Sequence, residues 1–464
     1  MLDHWIASFL APLAFWVLLN GIDDLIVDVA GLVSHVRQKF STDPRERTPS
    51  EEELDAIPPR HMAIFVGLWE EHKVIQKMID NNLTKLHYAH FDFFVGIYPN
   101  DAPTRAAVSE AMTRYPNIHL STCPHDGPTS KADNLNWIYR RMLLYEEEHG
   151  VRFEMILTHD AEDMMDPDAL RWINYYAQWN DMVQIPVLAL LTPFEELSHG
   201  VYCDEFAEFQ FKDMPARQLL GGFLPSNGVG TGFSRHALEM IAAAHSNQVF
   251  ESACITEDYE NGFRVKRLGL PQKFIPIHFR HGRAIATREY FPRDFHRAVK
   301  QRTRWITGIT LQSWEYHSAR ETFGHLYWFW RDRKGLAANL ITPLTNILFV
   351  LGAGTWAGAH ATHHPWLLAR DLSRLYPVYL AGLSLQAIQT AIRIVCCAKV
   401  YGWRFASGVP VRVLVANVIN CLATLRAICD FTNWKIRHRP LCWHKTEHAY
   451  PSRAALMPQR KRLG

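Results

Sequence analysis

The chain lacks several features that would narrow its function at once. Its eight cysteines (Cys123, Cys203, Cys254, Cys396, Cys397, Cys421, Cys429 and Cys442) include no Cys-x-x-Cys pair. That excludes a zinc ribbon and a disulfide framework, and leaves reduced, mostly buried thiols. No charge of one sign dominates, since 49 Lys+Arg face 47 Asp+Glu, so no basic field argues for nucleic acid. The Gly-rich stretch Pro225-Ser-Asn-Gly-Val-Gly-Thr-Gly-Phe233 lacks the Lys-Ser/Thr ending of a phosphate loop. It reads as backbone lining a substrate cleft, or else as a turn. His360-x-x-His363-His364 and His444-x-x-x-His448 have no fourth ligand beside them and read as polar or interfacial histidines. The N-terminal apolar segment has neither a basic leader nor a small-residue cleavage site, so it is expected to be an anchor and not a signal peptide.

What the chain does have is length for two or three domains and long apolar runs at both ends. Phe9 to Asn20 and Leu25 to Val33 together reach the about 20 residues that a ~30 Å hydrocarbon core requires. Asp23, Asp24 and Asp28 sit toward the inner end of this segment, where charge is less costly than at mid-bilayer. Arg37, Lys39, Arg45 and Arg47 follow and place that side in the cytoplasm. Two more spans are expected near 337–357 and 376–398. Val411 to Cys429 carries Arg412 and Arg426, which leaves about 20 Å of apolar length, too short to cross. It reads as an amphipathic helix on the membrane, and three crossings then return the basic tail to the cytoplasm. The 15 Trp and 25 Phe suit a membrane boundary, and sugar stacking as well.

Between the apolar ends, strand and helix patterns alternate. Met62–Gly67, Phe91–Ile97, Asn117–Ser121, Met155–Thr158 and Met182–Leu188 read as strands with helices between them. This predicts a mainly parallel α/β sheet covered on both faces, with ligands at the carboxyl ends of its strands. Met155-Ile-Leu-Thr-His-Asp-Ala-Glu-Asp163 delivers Asp160, Glu162 and Asp163 to such an end, with Asp166 as the expected N-cap of the next helix. Clustered acids there offer oxygen ligands to a hard divalent cation carrying phosphates, although acids in a loop often do no more than cap a helix. Asp101 ends the second strand. Lys131 opens a helix, where it can pair with a phosphate. Asp258, in Thr256-Glu-Asp258, stands at another helix start, as a cap or as a general base. In a helix over 293–317, Arg297, Gln301, Arg304, Trp305 and Gly308 share one face, fit to hold a diphosphate and stack on a sugar ring.

Lys131-Ala, Asp160-Ala-Glu162-Asp163, Thr256-Glu-Asp258 and Gln301-Arg-Thr-Arg304-Trp305, in that order, resemble the membrane-embedded family-2 glycosyltransferases, the group that includes cellulose, chitin and hyaluronan synthases. Gly21-Ile-Asp-Asp24, Tyr98-Pro-Asn-Asp101, His159-Asp-Ala-Glu-Asp163, Ala286-Thr-Arg-Glu-Tyr-Phe-Pro292 and Trp443-His-Lys-Thr-Glu-His448 resemble more closely the glycosyltransferase part of NfrB-type bacteriophage-adsorption proteins of the bacterial inner membrane.

The resemblance implies a GT-A fold, a Rossmann-like mixed sheet, combined with α-helical transmembrane segments and amphipathic interface helices. It implies an inverting, hexosyl-transferring enzyme with a UDP-sugar donor, Mg²⁺ or Mn²⁺, and a growing polysaccharide as acceptor. For this subgroup the donor would be a UDP-N-acetylhexosamine, such as the N-acetylmannosamine or N-acetylglucosamine form. One sugar passed to a polyprenyl phosphate is the alternative, and a catalytically silent receptor or scaffold a third reading. Asp101, Lys131, Asp160, Gln301 and Arg304 would contact the donor. Asp160, Glu162 and Asp163 would be the metal candidates, Glu162 replacing the second acid of an Asp-x-Asp pair. Asp258 would be the base, and Trp305, Glu257, Thr231 and Gly232 would meet the acceptor. Expected partners are the bilayer, a periplasmic or outer-membrane export partner and a cyclic-di-GMP-responsive regulator in trans. The expected organisation is an anchor over 1–33, a linker over 34–60, a GT-A domain over 61–300 and interface helices over 301–335. Two transmembrane helices over 336–398, an amphipathic helix over 409–430 and a basic cytoplasmic tail over 431–464 follow.

Overall fold

The computed structural model describes residues 2–280, 282–317, 325–437 and 450. Most of the expected tail, and the Trp443–His448 motif, lie outside the described residues.

The central domain alternates as the sequence pattern predicts. Strands β1 (Met62–Gly67), β2 (Phe91–Ile97), β3 (Ile118–Thr122) and β4 (Met155–His159) are linked by helices α3 (Ile75–Lys85), α4 (Ala102–Arg114) and α5 (Lys131–His149), after α1 (Leu2–Phe40) and α2 (Glu51–Ala56). The inner strands β1 and β4 are buried on both faces because helices cover both. Met62, Ile64 and Val66 face one core with residues of α3, α4 and α6 (Ala169–Tyr176). Ala63 and Phe65 face a second core with residues of α5 and α9 (Arg235–Ala244). The cap of helix α6 lies two residues later than expected. Asp168 occupies the N-cap position, and the buried Asp166 instead pairs with Arg283 at 3.0 Å and accepts from the Asp168 N–H at 3.1 Å.

The expected strand Met182–Leu188 is two strands. Pro186 has no N–H to give a ladder, so β5 (Met182–Gln184) stays in the main sheet while β6 (Val187–Ala189) leaves it. The main sheet runs β3-β2-β1-β4-β7-β5-β8, where β7 is Thr231–Ser234 and β8 is Gln272–Phe274. A pair β9 (Phe279–Arg280) and β10 (Arg283–Ala284) follows, and β11 (Thr287–Glu289) lies parallel to β6. The reversed strand matters for function. Because β7 is antiparallel to β4, its first residue Thr231 pairs with Thr158, and the Gly-rich loop before it arrives beside the acidic tip after β4.

Helices α7 (Leu197–Glu208) and α8 (Met214–Leu219), joined by a π-helical turn over Phe209–Asp213, form the floor of the domain. Beyond α10 (Glu257–Arg267), α11 (Phe295–Trp305) runs through a second π-helical stretch, Ile306–Gln312, into α12 (Ser313–Tyr316). Then come α13 (Leu326–Arg333), α14 (Gly335–Ala361), α15 (Ala369–Arg374), α16 (Tyr376–Tyr401), α17 (Trp403–Ala406) and α18 (Val409–Arg437). Among the described residues, four helical stretches have the length and composition to cross a bilayer: Trp5–Phe40, Leu326–Ala361, Tyr376–Tyr401 and Val409–Arg437.

The last is longer than the segment expected from the sequence, and Arg412 does not limit its apolar length as supposed. Arg412 is fully buried in protein, held by Asp204 of α7 at 2.7 and 2.8 Å, so its charge faces no lipid. Along its length α18 also meets Arg302 through Asn420 (2.9 Å), Asn339 through Thr424 (3.0 Å) and Glu315 through Lys435 (2.5 Å).

Candidate active site

The acidic tip is shaped by one of its own acids. Asp163 closes a turn on Asp160, and its Oδ2 accepts from the Asp160 N–H at 2.9 Å and lies 2.7 Å from His159 Nδ1. It is fully buried, and burial pushes its carboxyl above the usual range against the opposing histidine bond. Asn82 braces the backbone behind the turn through the Asp163 carbonyl and the Met165 N–H. Asp163, expected as a rival metal ligand, therefore points into the domain because its bonds to His159 and the turn hold it there. Glu162 is also buried, at 3% exposure, whereas the Asp160 side chain is 29% exposed and ion-paired with Lys131.

Lys131 is the first residue of α5, whose N-cap Ser130 accepts from the Asp133 N–H. Burial opposes its charge, but Asp160, Glu257 and Asp258 together hold the ammonium protonated well above its ordinary range. One lysine thus gathers acids from β4 and α10, two elements nearly a hundred residues apart. Burial, with Asp258 beside it, pushes Glu257 up to about 7. Burial also raises Asp258, against the pull of Lys131 and Arg304. The pair shares a low-dielectric site where both cannot be charged cheaply.

Asp258 is not a helix cap. It lies in the first turn of α10, and its Oδ1 accepts from the Tyr259 N–H at 2.8 Å. Gly228, at φ +77°, lies so close that a Cβ there would sit 2.7 Å from Asp258 Oδ2, which explains why the loop before β7 is glycine-rich. Gly308 does the same for α11 and its continuation, since a Cβ there would fall 2.3 Å from Thr256 Oγ1. The loop, helix α10 and the helix bearing Gln301, Arg304 and Trp305 therefore pack at contact distance.

A cavity of about 430 Å³ opens at this junction, lined by Asn227, Thr256, Asp258, Arg302 and Trp305, and toward the membrane side by Glu208 and Arg393. Trp305 is half-buried, with Tyr202, Phe206 and Phe291 at ring-centroid distances of 6.0, 6.2 and 6.3 Å. Gln301 is half-buried, and its Oε1 makes no hydrogen bond.

Other expected contacts fall elsewhere. Thr231 and Gly232 lie within β7, where the Thr231 hydroxyl is bonded to Ser226 (2.8 Å) and Gln184 (2.6 Å). The cavity is lined instead by Pro225, Ser226 and Asn227, because pairing with β4 and β5 buries the two residues that follow the loop. Asp101 follows β2 by four residues as the N-cap of α4, where its carboxylate accepts from the Glu70 N–H (2.6 Å) and the Thr104 N–H (3.3 Å). Arg297 pairs with Asp294 on the surface. Sequence reasoning missed Asn227, Thr256 and Arg302 as lining residues. The Gly-rich signal pointed at the first, and the other two stand inside motifs it had singled out.

A mainly parallel sheet with one reversed strand, acids at the end of β4 and the helix carrying Asp258 beside them is the GT-A arrangement of nucleotide-sugar-dependent transferases. Residues 58–308 match the family described as glycosyltransferase like family 2, and the chain belongs to that family. The chain is 33% identical over 463 residues to bacteriophage adsorption protein B of Escherichia coli K12, an alignment that covers 95% of this chain and 62% of that protein. Bacteriophage N4 adsorption protein B of Escherichia coli O157:H7 aligns to the same extent, so the chain spans about 62% of the length of these curated relatives. Among solved structures, the mannosyltransferase PcManGT of Pyrobaculum calidifontis, in complex with GDP-Man and Mn²⁺, superposes with a TM-score of 0.50 at 14% identity. That match covers 93% of this chain and 99% of that one, and it is a likeness of fold.

Proposed function

We propose that the protein is an inverting, membrane-embedded glycosyltransferase that uses a UDP-N-acetylhexosamine to lengthen a polysaccharide. The observation that carries this reading is the gathering of Asp160, Glu257 and Asp258 around Lys131, with Asp258 and Trp305 both lining the adjoining cavity. In the reaction, an acceptor hydroxyl in the cavity attacks the anomeric carbon as the bond from that carbon to the diphosphate oxygen breaks. Its proton passes to a carboxylate oxygen of Asp258. A single displacement inverts the centre. Glu257, raised to about 7 by burial and the neighbouring Asp258, adds little second charge beside the base below neutrality. Arg304 and Lys131 face the diphosphate, Gln301 supplies an amide toward it, and Trp305 offers a ring to the terminal acceptor sugar.

The residues present fit a divalent cation. Asp160 gives a partly exposed hard oxygen at the tip and Glu162 a second carboxylate close by, which suits an ion that takes its other ligands from phosphates and water. Bound there, Mg²⁺ or Mn²⁺ would neutralise charge developing on the departing UDP. Lys131, now paired with Asp160, would then be free to turn to phosphate.

For topology, we place the catalytic domain in the cytoplasm of a bacterial inner membrane, on the side of Arg37, Lys39, Arg45 and Arg47. Helix α18 would lie along the interface, since its contacts with α7, α11, α12 and α14 follow its whole length. A cyclic-di-GMP-responsive regulator in trans and an export partner extend the proposal by resemblance.

The deciding experiment is a screen of UDP-sugars with purified protein, read by UDP release and product length. A ladder of products from one UDP-N-acetylhexosamine is expected. A one-sugar lipid alone would replace polymer synthesis with single transfer, and no UDP release from any donor would leave a receptor or scaffold.

A further inference from the structure

On the membrane side of the cavity, three side chains outside the sequence motifs are locked together. Arg217 of α8 donates from both terminal nitrogens to the Asp332 carboxylate of α13, at 2.8 Å to each oxygen, and from Nε to the Phe223 carbonyl at 2.6 Å. Tyr259 donates its hydroxyl to the same Asp332 Oδ2 at 2.6 Å. The Arg217 guanidinium lies 4.3 Å over the Phe223 ring and 4.9 Å over Trp328, and Phe223 meets Tyr259 edge-on at 5.4 Å. Arg217 and Tyr259 are buried, at 3% and 5% exposure, yet Arg217, Tyr259 and Asp332 all line the cavity that Asp258 lines.

Tyr259 follows Asp258 in the chain and its N–H holds Asp258 Oδ1 at 2.8 Å, so wherever the tyrosine is fixed, the base is fixed with it. The anchor is itself held from the other side. Arg331 and Lys334, which flank Asp332, reach Asp23 and Asp24 of α1, and Arg331 also reaches Asp213 at 3.2 Å. Short charge-assisted bonds of this kind are strong and directional, and transfer rates respond steeply to small displacements of a reacting group.

We propose that Asp332 is a positioning residue for glycosyl transfer: through Tyr259 it sets the Asp258 carboxylate against the acceptor hydroxyl, and it ties that base to the membrane helices. The proposal rests on Asp258 being the base, and the experiment separates the two ideas. In the full chain, kcat, donor KM, UDP affinity and melting temperature are compared for wild type, Tyr259→Phe, Asp332→Asn, the double variant and Asp258→Asn. Tyr259→Phe removes one hydroxyl while Asp332 stays paired with Arg217. It should lower kcat about tenfold with donor KM, UDP affinity and melting temperature held. The double variant should be no slower than Asp332→Asn alone, because both changes cut the same connection. Wild-type kcat in Tyr259→Phe overturns the proposal, as does a loss of UDP affinity and melting temperature in step with kcat, which marks a scaffold only. If Asp258→Asn keeps more than half the wild-type rate, the base assignment falls and takes the positioning role with it. If Asp258→Asn is inactive and Tyr259→Phe is not slowed, only the positioning role falls.

Discussion

Two regions of this molecule hold acids and bases at similar density and treat them in opposite ways. Where the domain meets the membrane helices, charges are matched: Asp204 with Arg412, Glu208 with Arg393 and Lys212, Asp332 with Arg217, and Asp23 with Arg331 and Lys334. At the carboxyl end of β4, Lys131 serves Asp160, Glu257 and Asp258 with Arg304 acting on the last, and burial still leaves Glu257 and Asp258 with raised proton affinity. Matching makes a rigid joint. Mismatch leaves groups with perturbed titration, and such groups collect at functional sites.

The comparison can be broken most directly at the base. Asp258→Asn keeps the shape and removes the proton acceptor, so turnover should fall about 10²–10⁴-fold while UDP binding and melting temperature hold. More than half the wild-type rate would show that this acid is as structural as those below it.

At the joint the effect should be on stability instead. Arg412→Leu leaves Asp204 buried without its cation, and removing one member of a buried pair costs about 3–5 kcal/mol. The melting temperature should fall sharply, and adding Asp204→Leu should restore much of it. Equal losses in the single and double variants would mean that the pair does more than neutralise itself.

Trp305→Ala tests the boundary between the regions. Stacking on an acceptor sugar is worth on the order of 1–3 kcal/mol, so UDP affinity should stay near normal, UDP-sugar hydrolysis should be slow and polymer scarce. Trp305→Phe should recover part of the yield. Because the ring also packs beside Tyr202, Phe206 and Phe291, UDP affinity lost outright would make it a wedge in the fold.

The smallest effect concerns pH. The folded-state value of Glu257 is raised from 4.5 to about 7, so the folded protein holds this proton more tightly than the unfolded chain does. Its contribution is fully present below 4.5 and is lost as pH rises through about 7. Glu257→Gln should therefore flatten part of the decline in stability between those values. An unchanged slope in pH-dependent melting would place the shared proton elsewhere in the cluster.

Much of this was legible in the chain itself. The alternation of apolar strands with helices determined the parallel core, since each pattern has one face or two to bury and a fixed period. The spacing from Gln301 to Trp305 is local, so it put the motif on one helix. The acids after β4 were legible as a candidate site because strand ends in such sheets are where ligands bind. The tertiary structure decided what depends on partners far away in sequence. Asp160 and Asp163 look equivalent in the chain, yet His159 and a turn bury one while Lys131 meets the other. Thr231 looked like cleft and is sheet, because a reversed strand pairs it with Thr158. Arg412 looked like a limit on a membrane segment and is neutralised by Asp204, 208 residues away. Composition and period are properties of the chain, but whether a charge is solvated, paired or left for a substrate depends on what folding places next to it.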